Sequence, residues 1–376
     1  MAARALLATR NGPLTPGFEA VVSALGYEVV DVLATDGPED NQYYLPPGLV
    51  EKLRSRIAGT GAEYLAIDGI AHEGQIVDLD TAFPSVTIRD RRDVVAERLA
   101  SGDNPAAEAQ LALRERQIEL RRARRDQREQ STTGPSGTSG TVSELDGACK
   151  RQAMTLANQQ KTQRRRIIES YEGTDTHVAV VGQITAPTTT CWEALTGEQG
   201  ESGPLRPATP TTALTEIGSH AVAVTDTPGS IAGESERLAE VMPGTAAAID
   251  RADILLVVSW SADRDIDALL SVDEFQGAVV QCPEPADAGG VSDRPSDWGE
   301  QISDAIRAAL PTTRIGVALP YSDEGHALVS TLHEETTVET IWYEDEIRLL
   351  VEMPDSAVET LGRRIEAVDG EWIEEN

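Results

Sequence analysis

The chain has 376 residues, enough for two or three domains, and 40% of them are hydrophobic, enough for well-filled cores. Acids outnumber bases 63 to 32, for a formal charge of −31, yet apolar periodicity runs throughout and argues against a disordered chain. No leader-like segment and no 18-residue apolar run is present, and the three cysteines (Cys149, Cys191, Cys282) lie far apart with no C-x-x-C pair. These features predict a soluble cytoplasmic protein with no membrane partner, no disulfide framework and no cysteine metal site.

Residues 1–99 alternate short apolar runs with helical stretches. Arg4–Ala8, Tyr27–Leu33, Glu63–Ile67 and Val86–Ile88 read as strands, with helices over Pro16–Leu25 and Leu49–Ile57, and the alternation predicts a small α/β domain. Residues 100–173 read as a long antiparallel helical hairpin. Its first helix covers 103–130, with Pro105 near the start and no breaker inside, and its second covers Ser143–Glu172. The Gly/Ser/Thr-rich run STTGPSGTSGT between them reads as a flexible tip.

Charge singles out the hairpin. Residues 103–172 hold 13 Arg/Lys against 10 Asp/Glu, a charge of +3, which leaves −34 on the remainder. A locally basic arm on an acidic protein is where RNA phosphates would be met, with Arg121, Arg122, Arg124, Arg125, Arg164, Arg165 and Arg166 as the contact candidates. The plain alternative is a solvated helix face with i,i+4 pairs. The tip offers only small polar residues and nothing to stack on a base.

Residues 174–310 begin with VAVVGQITAPTTTCWEALTG (Val178–Gly197), an apolar strand ending at Gly182 and a helix starting near Thr190. That is the outline of a phosphate-binding loop. Its working residues would be Gly-Lys-Ser/Thr, and those positions hold Pro187, Thr188 and Thr189. Proline removes an amide donor and fixes φ, and Thr188 has no charge to set against the phosphates, so only the Thr189 hydroxyl keeps its metal-ligating chemistry. An ordinary tight strand-to-helix turn remains the alternative. Downstream, HAVAVTDTPGS (His220–Ser230) is a strand ending in D-x-x-G, where Asp226 would hold Mg²⁺ through water and the Gly229 N–H would face a γ-phosphate. Thr211, between the two, is the candidate switch threonine. The nucleotide candidates are therefore Gly182, Thr188, Thr189, Thr211, Asp226 and Gly229, with Thr189 and Asp226 for the metal; the cofactors are GTP and Mg²⁺ if the site works and none if it does not. No Asn-Lys-x-Asp base-reading motif follows the strand Asp253–Val258, and the roughly 40 residues before the helix Asp297–Leu310 are short for two further strand–helix units. No residue set suggests a catalytic triad or acid–base pair.

Residues 311–376 read as a small C-terminal α/β domain. His326 and His333 lie on the face of a helix predicted over Asp323–His333, as surface residues rather than ligands, and Trp342 and Tyr343 are placed in a strand as core.

These motifs in this order resemble the HflX family of ribosome-associated P-loop GTPases. Tyr43-Tyr-Leu-Pro-Pro-Gly48, the strand AEYLAIDG, Thr87-Ile-Arg-Asp-Arg91 before a long helix, Ala194-Leu-Thr-Gly197, Ala252-Asp253 and the segment ALPYSDEGHALVSTLHEETTVETIWYEDEIRLLVEM carry the resemblance beyond the nucleotide motifs. It implies a doubly wound GTPase-like domain and a hairpin that reaches large-subunit ribosomal RNA. The acidic, arginine-using composition with only three lysines (Lys52, Lys150, Lys161) resembles proteins of salt-loving archaea. Three functions follow: a pseudo-GTPase on the ribosome, with no DNA partner; a residual GTPase; or a protein-interaction scaffold.

Overall fold

The computed structural model describes residues 2–131, 139–174, 176–218, 220–230, 242–259, 275–284, 297–310, 312–343, 345–355 and 358–375. It is a mixed α/β protein with two sheets that are wholly or mainly parallel and one that is antiparallel.

The first sheet comprises β1 (Arg4–Thr9), β2 (Glu28–Ala34), β3 (Tyr64–Ile67) and β4 (Thr87–Asp90), all parallel in the order β2-β1-β3-β4. Helices α1 (Phe18–Ala24), α2 (Pro47–Thr60), α3 (Glu73–Ala82) and α4 (Arg91–Ala100) connect them and cover both faces. Burial on both sides is why β1 and β3 are almost wholly apolar rather than alternating. One face (Ala5, Leu7, Tyr64, Ala66) packs on α1 and α4, and the other (Leu6, Ala8, Leu65, Ile67) on α2 and α3.

Two long helices follow, α5 (Pro105–Ser131) and α6 (Ser139–Glu169). The contacts Arg124–Asp146, Gln152–Ala109 and Gln163–Asn104 run in opposite sequence directions, so the pair is antiparallel. Of the expected tip, Ser131 ends α5 and the three residues 139–141 begin α6; the rest, 132–138, lies outside the described residues. Helix α5 leans on the first sheet. Arg114 is buried there among Glu73, Asp90, Asp93 and the Ala71 carbonyl, while Arg122 pairs with Asp80 and Arg125 with Asp78 on α3.

The second sheet holds β5 (Thr176–Gly182), β6 (Thr211–Ile217), β7 (His220–Asp226), β8 (Ile254–Val258) and β9 (Ala278–Gln281) in the order β6-β7-β5-β8-β9. Only β6, at the edge, runs antiparallel. α7 (Thr188–Thr196) and α9 (Trp298–Arg307) cover one face, with Trp192 and Trp298 against Val178, Val180, Val224 and Leu256. α8 (Pro243–Arg251) covers the other. That second face has no core of its own: Ala179, Val181, Ala223, Leu255 and Val257 join Leu7, Phe18, Val95, Leu99, Ile167 and Tyr171 in one continuous cluster with the first sheet.

The last sheet is antiparallel, β10 (Thr312–Leu319), β11 (Thr337–Tyr343), β12 (Ile347–Pro354) and β13 (Glu371–Glu375) in the order β11-β12-β10-β13. α10 (Asp323–Glu335) and α11 (Val358–Glu366) pack on one face only. Trp342 and Tyr343, expected in the core, are 46% and 59% exposed: β11 is an edge strand, and Trp342 stands in register with exposed Arg348 on the face that no helix covers. An antiparallel sheet tolerates a wet face. The His326 ring contacts the Ser322 carbonyl at 2.9 Å, and among the described residues no group of His, Cys, Asp or Glu is arranged to hold a metal.

Asn104 joins three parts of this assembly. Its Oδ1 accepts the amides of Ala106 and Ala107 at 3.1 Å, capping α5, and accepts Gln163 Nε2 of α6 at 2.6 Å; its Nδ2 donates to the Ala208 carbonyl at 2.7 Å. Asn104→Ala removes a cap and leaves a buried amide and a carbonyl unpaired, so a loss of about 2–4 kcal/mol is expected in urea unfolding. A change below about 0.5 kcal/mol would show that the contact is dispensable.

Candidate functional site

In an open α/β sheet, ligands lie beyond the carboxyl ends of the strands, where successive connections leave on opposite faces. Here that point falls between β5 and β7, because α7 follows β5 onto one face while α8 lies on the other. Gly182 ends β5 and Asp226 ends β7, so the two sequence motifs meet at the place where the topology sets a ligand crevice.

Protein atoms close that crevice. The Ile184 amide donates to the Ser230 carbonyl at 2.9 Å and the Ser230 amide to the Gly182 carbonyl at 3.0 Å, making a parallel bridge between Gln183 and Ser230 that extends the β5–β7 ladder past its end. Thr227 Oγ1 donates to the Val180 carbonyl at 2.7 Å and the Ala186 amide to Gln183 at 2.7 Å. An amide that a phosphate loop would turn toward its ligand is thus spent on the chain itself. The Ile184 side chain is buried in the shared core. A methyl added to Gly17, at the start of α1, would lie 2.0 Å from Ile184 Cγ2, and one added to Gly229 would lie 2.5 Å from Ile184 Cα. Gly182 is equally tight, with a Cβ falling 2.7 Å from the Val258 carbonyl and 2.9 Å from Ala186 Cβ. These glycines therefore admit neighbouring protein rather than a ligand.

The loop between α7 and β6, where a switch segment would lie, is held too. Arg98 Nε of α4 donates to the Pro204 carbonyl at 3.0 Å, Arg206 Nη1 donates back to the Arg98 carbonyl at 3.1 Å, and Leu205 is fully buried. Thr211 opens β6 opposite Asp226 in the ladder, but its side chain is exposed and its hydroxyl donates to the Thr209 carbonyl at 3.4 Å.

Thr188, Thr189 and Asp226 do come together. All three are buried, and the hydroxyls of Thr188 and Thr189, in the first turn of α7, face the Asp226 carboxyl. Thr189 Oγ1 also lies 3.2 Å from the Glu201 carbonyl, and one hydroxyl proton cannot serve both acceptors. Asp226 Oδ1 is buried without a hydrogen-bond partner. Burial pushes this carboxyl up to about 7, with Glu193 adding to the rise and the two threonines opposing it. Pro187 stands at the N-cap of α7 and gives no side-chain cap. The fit to GTP with Mg²⁺ is poor. The threonine–carboxyl pair on the metal side is present, but the phosphate side has neither lysine nor a free cradle.

Sequence reasoning missed Ile184, Ser230 and Gly17. The one available signal was a bulky apolar residue, Ile184, inside a loop whose relatives in chemistry need small ones. The segments 231–241, 260–274 and 285–296 lie outside the described residues.

Of the seven arginines expected at an RNA surface, Arg122 and Arg125 pair with α3, Arg124 with Asp146 and Arg165 with Glu169. Arg121, Arg164 and Arg166 are exposed and have no ion pair among the described residues.

No protein-family model matches the chain, and no curated protein matches it either. Similar solved structures include a complex of SsGBP with GDP, 14% identical over 82% of this chain and 88% of that one with a TM-score of 0.43. A GTP-binding protein from the hyperthermophilic archaeon Sulfolobus solfataricus in complex with GDP is 16% identical over 80% and 88%, with a TM-score of 0.37. Toc33 from Arabidopsis thaliana with Mg²⁺ and GMPPNP is 16% identical over 39% and 69%, with a TM-score of 0.22. At these identities and scores the likeness assigns no activity to this chain. No helix among the described residues is long and apolar enough to cross a membrane.

The raised Asp226 value fixes the sign of a pH effect. Between about pH 4 and pH 7 the folded chain keeps a proton that the unfolded chain has lost, so stability from this group is full below pH 4 and declines as pH rises to 7. Asp226→Asn cannot ionise. Its stability relative to the parent is expected to grow by about 2–3 kcal/mol from pH 5 to pH 8, read from urea midpoints of both proteins at each pH. A pH-independent difference would mean the carboxyl titrates normally.

Proposed function

We propose that this chain is an HflX-like pseudo-GTPase: a GTPase-type fold in which protein has replaced the nucleotide and the helical hairpin serves as an RNA-contact arm on the large ribosomal subunit. The observation that carries the reading is the closed loop after β5, where the Ile184 and Ser230 amides are paired and Ile184 is wedged against Gly17 and Gly229. A ligand biases two states only through contacts that differ between them. With the loop bridged to Ser230 and the 203–208 segment pinned by Arg98 and Asn104, a γ-phosphate finds no movable element to order among the described residues at this site. The protein would act in a single conformation, and its occupancy on the ribosome would follow concentration and salt rather than a hydrolysis cycle.

Titration with GTP and Mg²⁺ in molar KCl tests the nucleotide half. No saturable binding below about 1 mM is expected, a limit weaker than about −4 kcal/mol. Micromolar binding that Asp226→Ala abolishes would establish the residual GTPase instead.

The RNA half rests on Arg121, Arg164 and Arg166, the three candidates that are exposed and have no ion pair among the described residues. Replacing all three by Glu is expected to weaken co-sedimentation with large ribosomal subunits at least tenfold at constant salt and to flatten the salt dependence. Unchanged association would leave the scaffold reading in its place.

A further inference from the structure

Cys191 and Cys282 are separated by 91 positions in sequence and share no motif, yet their sulfurs lie 3.2 Å apart, both buried. Cys191 sits on α7, two residues past Thr189; Cys282 directly follows β9, with its amide bonded to the Val257 carbonyl at 2.8 Å. The third cysteine, Cys149, is on α6 and only partly buried.

The two thiols are not equivalent. Cys282 Sγ donates to the Pro283 carbonyl at 3.7 Å, which leaves Cys191 as the donor to the Cys282 sulfur. The order is therefore Cys191 S–H to Cys282 S–H to Pro283 carbonyl. The Cys191 proton is thus held against the Cys282 sulfur. Location favours access to the same sulfur. β9 is the outer strand of its sheet among the described residues, so Cys282 lies at an edge, where local opening costs least.

We infer that Cys191 and Cys282 form an oxidisable dithiol, with Cys282 as the sulfur attacked by a peroxide and Cys191 as the sulfur that resolves it to a disulfide. In the first step the Cys282 thiolate takes one oxygen from the peroxide, breaking the O–O bond to give a sulfenic acid and, from hydrogen peroxide, hydroxide. In the second step Cys191 sulfur attacks the sulfenic sulfur, the S–O bond breaks, and the Cys191 proton leaves with the departing oxygen as water. Two thiols and one peroxide thus give one disulfide and two waters. The sulfurs need close by only about 1.2 Å to reach bonding distance. The product would staple α7, which carries Thr188 and Thr189 against Asp226, to the end of β9. This modification is independent of whether any nucleotide binds.

The test uses the full-length reduced protein treated with hydrogen peroxide, then denatured and alkylated with N-ethylmaleimide. The expected product carries one adduct, on Cys149, has lost two hydrogens, and gives a dithiothreitol-sensitive peptide joining residues 191 and 282. Its unfolding midpoint should rise by about 5 °C or more and return on reduction. In Cys191→Ala, dimedone should trap a sulfenic acid on Cys282; in Cys282→Ala, Cys191 should stay unlabelled. Three alkylated cysteines in the oxidised parent, or a crosslink through Cys149, would overturn the pairing. Dimedone on Cys191 rather than Cys282 would overturn the order of attack. The parent experiment stands alone if either variant fails to fold.

Discussion

The contact on which the rest depends is a side chain set against two glycines. Ile184 enters the gap between Gly17 of the first α/β layer and Gly229 of the second, at the point where a doubly wound sheet would receive its ligand. Once it is there, the Ile184 amide faces Ser230, the ladder between β5 and β7 zips one residue further, and the two sheets share a core through Leu7, Phe18, Val181 and Leu255. Burying one such side chain contributes about 2–3 kcal/mol. Its larger effect is geometric, because it fixes two layers that a switching protein would need to part.

The polar remainder of the site then has an explanation that needs no ligand. Thr188 and Thr189 at the start of α7 face a carboxyl, as an uncapped helix N-terminus prefers, and the Asp226 carboxyl supplies it from within the chain. The cost is visible in its raised titration and in the unpaired Oδ1. The hairpin follows the same logic. Arg114, Arg122 and Arg125 hold α5 to the first layer through Asp90, Asp80 and Asp78, so much of the arm's positive charge fastens it rather than projecting from it.

How much of this was legible in the sequence divides by the range of the interaction. Strands with continuous apolar runs, such as Leu6–Ala8 and Val178–Val181, and the long helices without breakers announce themselves locally. The absence of lysine at Thr188 and the proline before it were equally plain. What local reading could not reach was where Ile184 packs, because its partners Gly17 and Ser230 come from other elements. The same blindness hid the Cys191–Cys282 contact and misjudged Trp342, whose aromatic character suits a strand without saying which face is covered. The strand Thr211–Ile217 was not foreseen, since its threonines and glutamate form no continuous apolar run, a pattern that an edge strand permits.

The shared core also sets an order of assembly during synthesis. Its members run from Ala5 to Val257, so the inner face of the first layer cannot be covered until about 250 residues have been made. At roughly 5–20 residues per second, the surface formed by Leu7, Phe18 and Val95 waits many seconds for α6, β5 and α8 to emerge. For that interval the nascent chain presents the apolar flank of its first layer, around α1 and α4, while the second layer that completes the core is still to be made. The sequence separation that gives the first two layers one shared core therefore makes their early intermediate the stage most exposed to misassembly, and the one most in need of a chaperone.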